Sequence, residues 1–340
     1  MVHVTVKCGV VAGDVCSPGR VEISQWYRDF AEQEARGRSA TYERLALAVA
    51  DDDELLRHLS ALPEPKRQPN LLFASVRYLG GPVSDPAGFR AWALAHWDQV
   101  EATMRERLTQ TNEPGRCAVL LPVLARLPQP LALLEVGASA GLCLYPDAYG
   151  YHYSRPGAVG RSDSPVQLTC QVSGPFEVPE QVPHVIWRAG LDLNPLDVTD
   201  HGDLRWLEAL IWPEHHERRR RLRAAAAIAR LNPPLLVRGD LLNDLPSLAA
   251  QAPEDATLVV FHSAVLAYVP PQARTRFVDL VRGLPGHWVS NEGMRVLPMI
   301  PAPETSPQNA GPAPFLLALD GKPVALTGPH GQSLTWLDVP

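Results

Sequence analysis

A chain of 340 residues, 46% of them hydrophobic, is long enough for one large domain or two ordinary ones. The formal net charge of −6 excludes a global basic field for nucleic acid or anionic membranes, and no apolar run is long enough to cross a bilayer. Five scattered cysteines without a C-x-x-C pair argue against a disulfide framework and a structural zinc site; they predict a cytoplasmic location and no bound metal.

The first third of the chain predicts an N-terminal all-helical domain over residues 1–115. Asp51-Asp52-Asp53 predicts an N-cap, and Ser84 or Asp85 ahead of Pro86 predicts the start of a long helix that ends near Leu108. No strand alternation occurs in this region. Apolar residues at helical spacing predict further helices over 21–36, 41–50, 54–62 and 70–79.

From residue 116 to residue 340 the pattern predicts an α/β domain. Short apolar strands alternate with helical segments, which indicates a Rossmann-like, doubly wound, mostly parallel sheet. Asp320-Gly321 joins two more strands and predicts a C-terminal β-hairpin, and the Pro-rich stretch 298–314 predicts a loop. The predicted strands of this domain are 131–136, 185–187, 235–237, 257–261, 287–290, 315–319 and 323–327, and its predicted helices are 117–127, 204–210, 218–229 and 274–284.

The segment Gly137-Ala138-Ser139-Ala140-Gly141 follows a predicted strand and is expected to begin a helix. It has three interpretations. In the first it is a nucleotide-binding turn in which small residues let the backbone approach a ligand, with Glu135 as the acid at the strand end. In the second it is the G-x-S-x-G nucleophile elbow of a serine hydrolase, with Ser139 as nucleophile, Asp240 as acid and His262 or His287 as base. In the third it is a packing turn without a ligand.

Downstream segments favour the first interpretation. A methyltransferase-type site needs an acid for the adenosyl ribose after its second strand, a polar adenine contact after its third and a substrate-facing loop after its fourth. GLDLNP places Asp192 at the first position, and RGDLL places Asp240 and Leu241 at the second. His262 ends the next strand as a candidate base, and Tyr268 follows it in the same loop.

One spacing departs from this pattern. Asp192 follows Gly137 by 55 positions, whereas about 20 are usual between a glycine turn and the ribose acid. The extra residues, about 145–183, predict an inserted β-hairpin or lid. Their aromatic cluster, Tyr145 to Tyr153, is interpreted as packing of this insert, with the lining of an acceptor pocket as the alternative.

From about Val21 onward the chain resembles an uncharacterised bacterial family known as a domain of unknown function. The resemblance is carried by WYRDFAEQEARGRSATYERLA, RQPNLLFASVRYLGG, LLEVGASAGL, WRAGLDLNPLD, WLEALIWPE and the GD segment. The resemblance implies a class I methyltransferase-like fold and no established activity. Within the wider methyltransferase superfamily, it implies that Gly137, Ser139, Gly141, Asp192 and Asp240 contact the cofactor.

The sequence therefore predicts an S-adenosylmethionine-dependent methyltransferase acting on a small molecule or a protein side chain. A non-catalytic protein of the same fold that binds a ligand or a partner is the alternative, and a serine hydrolase using Ser139 is a third. His262 and Tyr268 are the expected catalytic residues. The expected cofactor contacts are Glu135, Gly137, Ala138, Ser139, Gly141, Asp192, Asp240 and Leu241.

Overall fold

The computed structural model describes residues 20–301 and 314–338, in two compact units. One unit holds the chain up to Thr111 together with His201–Arg219, and the other holds Asn112–Asp200 and the chain from Arg220. The sequence prediction instead divided the chain once, at residue 115. Cys8, Cys16 and most of the predicted loop 298–314 lie outside the described residues.

The helices, in chain order, are α1 (Arg20–Asp29), which continues as a π-helical segment (Phe30–Ala35), α2 (Ala40–Ala50), α3 (Asp53–Ser60), α4 (Pro69–Tyr78), α5 (Pro86–Ala95), α6 (Trp97–Glu106), α7 (Cys117–Leu124), α8 (His201–Leu210), α9 (His216–Leu231), α10 (Leu245–Ala249) and α11 (Pro271–Arg282). None of the helices in the described ranges is both long and apolar enough to cross a membrane.

The helical unit is built from capped amphipathic helices, as predicted. Asp52 begins α3 by accepting hydrogen bonds from the amides of Glu54 and Leu55, and Asp85 caps α5. The single helix predicted up to Leu108 is wrong, because the chain leaves helical geometry at His96 (φ −120°) and starts again as α6.

Helix α8 belongs to the helical unit although it follows a strand of the sheet. The Trp206 indole donates to the carbonyl of Leu108 over 3.0 Å, and Arg77 on α4 donates to the carbonyl of Ala209 over 2.8 Å. These bonds join residues 98 and 132 positions apart, which explains why the boundary could not be found from the linear pattern alone.

The second unit contains one eleven-stranded, mostly parallel sheet, so the described chain is a mixed α/β protein. Its order is β3-β2-β4-β11-β10-β9-β8-β7-β1-β5-β6. The strands are β1 (Leu131–Val136), β2 (Gly150–Tyr153), β3 (Ala158–Gly160), β4 (Gln167–Ser173), β5 (Val185–Asp192), β6 (Leu235–Arg238), β7 (Thr257–Ser263), β8 (His287–Gly293), β9 (Phe315–Leu319), β10 (Lys322–Thr327) and β11 (Ser333–Trp336).

Five neighbouring strands, β6-β5-β1-β7-β8, are all parallel. From β1 the chain runs outward to β5 and β6 on one side, and then to β7 and β8 on the other side. Val136 lies between Leu191 on β5 and His262 on β7, and Asp192 lies opposite Arg238 on β6. The carboxyl ends of these strands therefore share one edge of the sheet.

The insert between β1 and β5 extends the sheet instead of covering it. Strands β2 and β3 form an antiparallel pair, and β4 joins them to β11. The hydroxyls of Tyr149, Tyr151 and Tyr153 are buried and donate to the carbonyls of residues 142, 146 and 118, respectively. The buried tyrosines support the packing interpretation, and of the two forms predicted for the insert, a β-hairpin or a lid, the structure shows the hairpin as β2 and β3.

The predicted C-terminal hairpin is confirmed as β9 and β10. Asp320 (φ 51°) and Gly321 (φ 78°) both have positive φ, which is the backbone of a type I′ turn that matches the twist of the paired strands. The following strand, β11, was not predicted; it links the hairpin to the inserted strands through β4.

Candidate functional site

The glycine turn follows β1 at the carboxyl edge of the parallel strands. Gly137 (φ 72°), Ser139 (φ 51°) and Gly141 (φ 70°) all have left-handed backbone, which is uncommon for a serine. The amide of Gly137 donates to the carbonyl of Leu191 over 2.7 Å, so the turn is fixed to the end of β5.

The prediction of a helix directly after this turn is wrong. A single 3-10 turn, Leu142–Leu144, follows Gly141, and the described residues between β1 and β5 contain no α-helix. Pro146 explains the difference, because a residue preceding proline disfavours helical backbone, and Tyr145 has φ −119° and ψ 44°. The anion-binding helix N-terminus expected at the turn is therefore missing.

Asp192, the last residue of β5, lies beside the turn. Its Oδ2 accepts the amide of Ser139 over 2.8 Å, and its Oδ1 accepts the amide of Asn194 over 2.7 Å. This carboxylate holds the turn and the loop after β5 together.

Two buried polar side chains at the turn lack complete partners within the described chain. Glu135 is 4% exposed and its Oε2 accepts no hydrogen bond, and the Oγ of Ser139, which is 2% exposed, has no partner. Burial raises the pKa of Glu135 well above its ordinary range; Cys143 adds to the rise and Arg116 opposes it. Buried polar atoms are normally paired, so these two atoms mark a place where a ligand would complete the bonding.

A segment that the sequence prediction missed, Asn112–Arg116, lies against the glycine turn. The Asn112 side chain donates to the carbonyl of Ala138 over 3.2 Å and accepts the amide of Leu142 over 2.9 Å. The Cys143 thiol donates to the carbonyl of Glu113 over 3.4 Å. The segment therefore contacts the turn on both sides of Ser139.

Three side chains of this segment are polar and buried: Asn112, Glu113 and Arg116. Glu113 pairs with Arg221 over 2.9 Å, whereas Arg116 donates to the carbonyls of Ser263 and Pro329. In the sequence, these residues read as an exposed Pro-Gly turn ahead of a helix, and their spacing carries no periodic signal. Their role becomes visible only once the sheet edge is known.

Asp240 follows β6 at the same edge and organises its own loop. Its Oδ1 accepts the amides of Leu242 and Asn243, while its amide donates to Asp244 over 2.7 Å. Leu241 is half-buried against the sheet core. Both residues lie after the strand beside β5, where the adenine contact was expected.

His262 is fully buried and both of its ring nitrogens are engaged. The Trp288 indole donates to Nε2 over 3.0 Å, so Nδ1 carries the proton and donates to Oε1 of Glu292 over 2.7 Å. This arrangement leaves no free lone pair for a substrate proton. The histidine expected to be the base therefore has both ring nitrogens hydrogen-bonded to side chains of β8.

Glu292 also fixes the loop that follows β7. Its Oε1 accepts the amides of Val265 and Leu266 over 3.0 and 3.1 Å. Val265 packs onto the glycine turn, since a Cβ placed on Gly137 would lie 2.2 Å from its Cγ2. Tyr268, at the end of this loop, is 54% exposed. The structure thus brings Tyr268 to the carboxyl edge on the opposite side of β1 from Asp192.

The serine hydrolase interpretation lacks its nucleophile–base contact. Ser139 Oγ has no hydrogen-bond partner, His262 is held by Trp288 and Glu292, and the Nδ1 of His287 pairs with Asp320. An activated serine requires a base within hydrogen-bond reach.

In the described ranges, no group of three histidine, cysteine, aspartate or glutamate side chains is arranged to hold a metal ion.

The comparisons agree with the resemblance noted from the sequence. The chain matches the family model described as an uncharacterised protein conserved in bacteria (DUF2332) over residues 24–336. No curated protein and no solved structure matches it. With nearly its whole length matched, the chain belongs to the DUF2332 family of uncharacterised bacterial proteins.

Proposed function

We propose that the α/β unit binds S-adenosylmethionine and transfers its methyl group to a small molecule or a protein side chain. One observation carries the proposal: Glu135 and Ser139 leave buried polar atoms without partners beside Asp192, at the carboxyl ends of β1 and β5. Buried polar atoms without hydrogen-bond partners destabilise the folded protein, and a bound polar ligand would stabilise it by supplying those hydrogen bonds.

The strand order gives independent support. The order β6-β5-β1-β7-β8 corresponds to 3-2-1-4-5 in a Rossmann-like, doubly wound sheet, in which ligands bind at the carboxyl ends where the chain reverses direction. The reversal falls between β1 and β7, next to Gly137. The antiparallel strands β9 and β10, and the lack of an α-helix among the described residues between β1 and β5, depart from that pattern.

The residues present fit the cofactor at three places. Asp192 would accept the ribose hydroxyls, Glu135 and Ser139 would meet the methionine part, and Asp240 with Leu241 would lie on the adenine side. The missing Cβ atoms of Gly137 and Gly141 make room for Val265 and Pro234, so these glycines serve chain packing. Cofactor contacts in the turn would therefore come from Ala138 and Ser139.

When bound, the sulfonium supplies an electrophilic methyl group to an acceptor nucleophile. The chain's task is then to align the acceptor and exclude water. With His262 occupied, general-base catalysis by this residue is not part of the proposal. The acceptor class that fits is a nucleophile with a lone pair available near neutral pH, with Tyr268 as the exposed side chain beside it.

The test is calorimetric titration of the protein with S-adenosylmethionine and S-adenosylhomocysteine. We expect micromolar binding that weakens at least tenfold in Glu135→Gln and in Asp192→Asn. Asp163→Asn is the matched control, because Asp163 is exposed and pairs with Arg161 on the insert. Absence of binding by the folded protein would overturn the proposal.

The engaged state of His262 favours a second candidate, a ligand-binding protein without catalysis. It predicts the same titration result. The two differ in an acceptor screen with methyl-labelled cofactor, where the catalytic protein yields a labelled product and the binding protein does not.

A further inference from the structure

The Asn112 side chain is buried and bonds to the glycine turn on both sides of Ser139. Asn112 is 8% exposed. Its Nδ2 donates to the carbonyl of Ala138 over 3.2 Å, and its Oδ1 accepts the amide of Leu142 over 2.9 Å. This pairing fixes the orientation of the side-chain amide, because the reverse orientation would place a donor against an N–H group and an acceptor against a carbonyl.

The two backbone groups that Asn112 binds are those that would form a hydrogen bond of a helix after the turn. Leu142 lies four residues beyond Ala138, and in an α-helix each amide donates to the carbonyl four residues earlier. Here the Ala138 carbonyl accepts the amide of Gly141 over 2.7 Å, in a tighter turn, while the Leu142 amide donates to Asn112. The side chain therefore occupies the place of the helical bond, and an inserted side chain is one of the causes that interrupt a helix.

The interruption gives Ser139 the backbone on which the proposed site depends. A helical bond from Leu142 to Ala138 requires φ of about −63° at the residues between them. Ser139 has φ 51° and Gly141 has φ 70°. In this left-handed conformation the Ser139 amide donates to Oδ2 of Asp192 over 2.8 Å. A change of Ser139 to helical backbone would break this bond and move the serine hydroxyl.

The backbone that carries Asn112 is itself anchored. The side chain of the next residue, Glu113, accepts from the guanidinium of Arg221 over 2.9 Å and from the amide of Gly115 over 3.0 Å. The carbonyl of Glu113 accepts the thiol of Cys143 over 3.4 Å. Asn112 thus reaches the turn from a fixed point, and a group that positions others requires such support.

We propose that Asn112 is a positioning residue of the ligand site: its side-chain amide keeps the glycine turn in the left-handed backbone that places Ser139 and Asp192 for contact with the ligand. This inference rests on the proposed function and adds to it a residue that precedes β1 and acts through the turn. It predicts that loss of the Asn112 amide lowers ligand affinity beyond what a similar loss of buried hydrogen bonds causes elsewhere in the sheet.

The test is calorimetric titration of Asn112→Ala with S-adenosylhomocysteine, at a temperature where the variant is folded. Asn291→Ala is the matched control. Asn291 is 0% exposed, and its side chain likewise makes two bonds, donating to the Ser263 hydroxyl over 2.9 Å and accepting from the Thr327 hydroxyl over 2.6 Å. We expect at least a tenfold loss of affinity in Asn112→Ala and less than a twofold change in Asn291→Ala, although each variant loses two buried hydrogen bonds.

Asn112→Ser serves if Asn112→Ala does not fold. Its shorter side chain reaches at most one of the two backbone partners, so it should weaken binding by about threefold or more. Unchanged affinity in the Asn112 variants would overturn the role of Asn112 and leave the proposed function standing. Equal weakening in the Asn112 and Asn291 variants would do the same, because the loss would then follow from lower stability. If the unmodified protein does not bind S-adenosylhomocysteine, both proposals fall.

Discussion

Two buried carboxyl groups, Glu135 near the end of β1 and Glu292 near the end of β8, lie on strands separated by β7 and differ in how many hydrogen bonds the chain donates to them. Glu292 accepts from His262 and from the amides of Val265 and Leu266. Glu135 leaves Oε2 without a partner, beside the equally unpartnered Ser139 hydroxyl. Glu292 is a structural anchor because its Oε1 accepts from three donors of the chain, although its Oε2 also lacks a partner. We take the Glu135 carboxyl, beside the unpartnered Ser139 hydroxyl, as the one available to a ligand. Burial and one unpartnered oxygen are common to both groups, so the number of donors that the chain supplies to the carboxyl is what distinguishes them.

The largest expected effect on stability comes from removing the Glu292 carboxyl, the structural anchor. Glu292→Ala leaves the His262 Nδ1–H and two backbone amides unpaired in the interior, and should lower the free energy of unfolding by about 3–5 kcal/mol. Glu135→Ala removes a carboxyl with few bonds and should cost less than about 2 kcal/mol. Urea unfolding followed by circular dichroism measures both. Equal losses in the two variants would contradict the distinction between them.

The glycine turn and the anchored loop meet at Gly137 and Val265. Gly137→Ala places a side chain at φ 72° and against Val265 Cγ2, and should cost about 2–4 kcal/mol. In a Val265→Ala background the same change should cost about 1–2 kcal/mol less, because the closest contact has gone. Unfolding of the two single variants and the double variant gives this coupling. A coupling near zero would show that the loop does not pack onto the turn as described.

The pH dependence of stability sharpens the comparison. Because burial raises the pKa of Glu135, the folded state holds a proton that the unfolded state releases from about pH 4.5 upward. The unmodified protein therefore loses stability as pH rises between the unfolded and folded pKa values of this group. Glu135→Gln removes that term, so the stability of the variant relative to the unmodified protein should increase from pH 4 to pH 8. A difference that stays constant or decreases would contradict the buried, weakly paired state of Glu135.

The smallest expected effect concerns Ser139. Ser139→Ala removes a buried hydroxyl without a partner, and should raise the free energy of unfolding by up to about 1 kcal/mol while weakening ligand binding. Ser247→Ala is the matched control, because its exposed hydroxyl donates to Asp244 and its loss should be slightly destabilising. A loss of stability in Ser139→Ala would indicate that the hydroxyl is already satisfied.

Much of the fold followed from periodicity and turn chemistry. The strands β1, β6 and β7 were predicted within about two residues, and Asp320-Gly321 identified its hairpin by the backbone that a tight turn requires. The prediction of a helix after Gly141 was wrong because it relied on the pattern of a strand followed by a glycine turn and did not take Pro146 into account. The sequence did not indicate that the helical unit is made of two separate stretches of the chain, because the hydrogen bonds of Arg77 and Trp206 that join them connect distant residues.

The candidate site was predicted in part. Glu135 and Asp192 were identified from strand ends, where side chains of neighbouring parallel strands must come together, and Ser139 from the glycine turn that follows β1. The bonds of His262 were not predictable, because its acceptor and donor lie on β8, and only strand register places Trp288 and Glu292 beside it. Arg116 was missed because its partners are the carbonyls of Ser263, at the end of β7, and of Pro329, in a loop, and contacts this distant in the chain leave no pattern in the local sequence.

The most direct test of the central claim is hydrogen–deuterium exchange of the whole protein with and without S-adenosylhomocysteine. The account predicts slower exchange in the peptides that contain residues 137–142 and 192–196, and little change around Val265 and Glu292. Protection confined to the anchored loop and β8, or no protection anywhere at saturating ligand, would contradict the assignment of the ligand site to the end of β1.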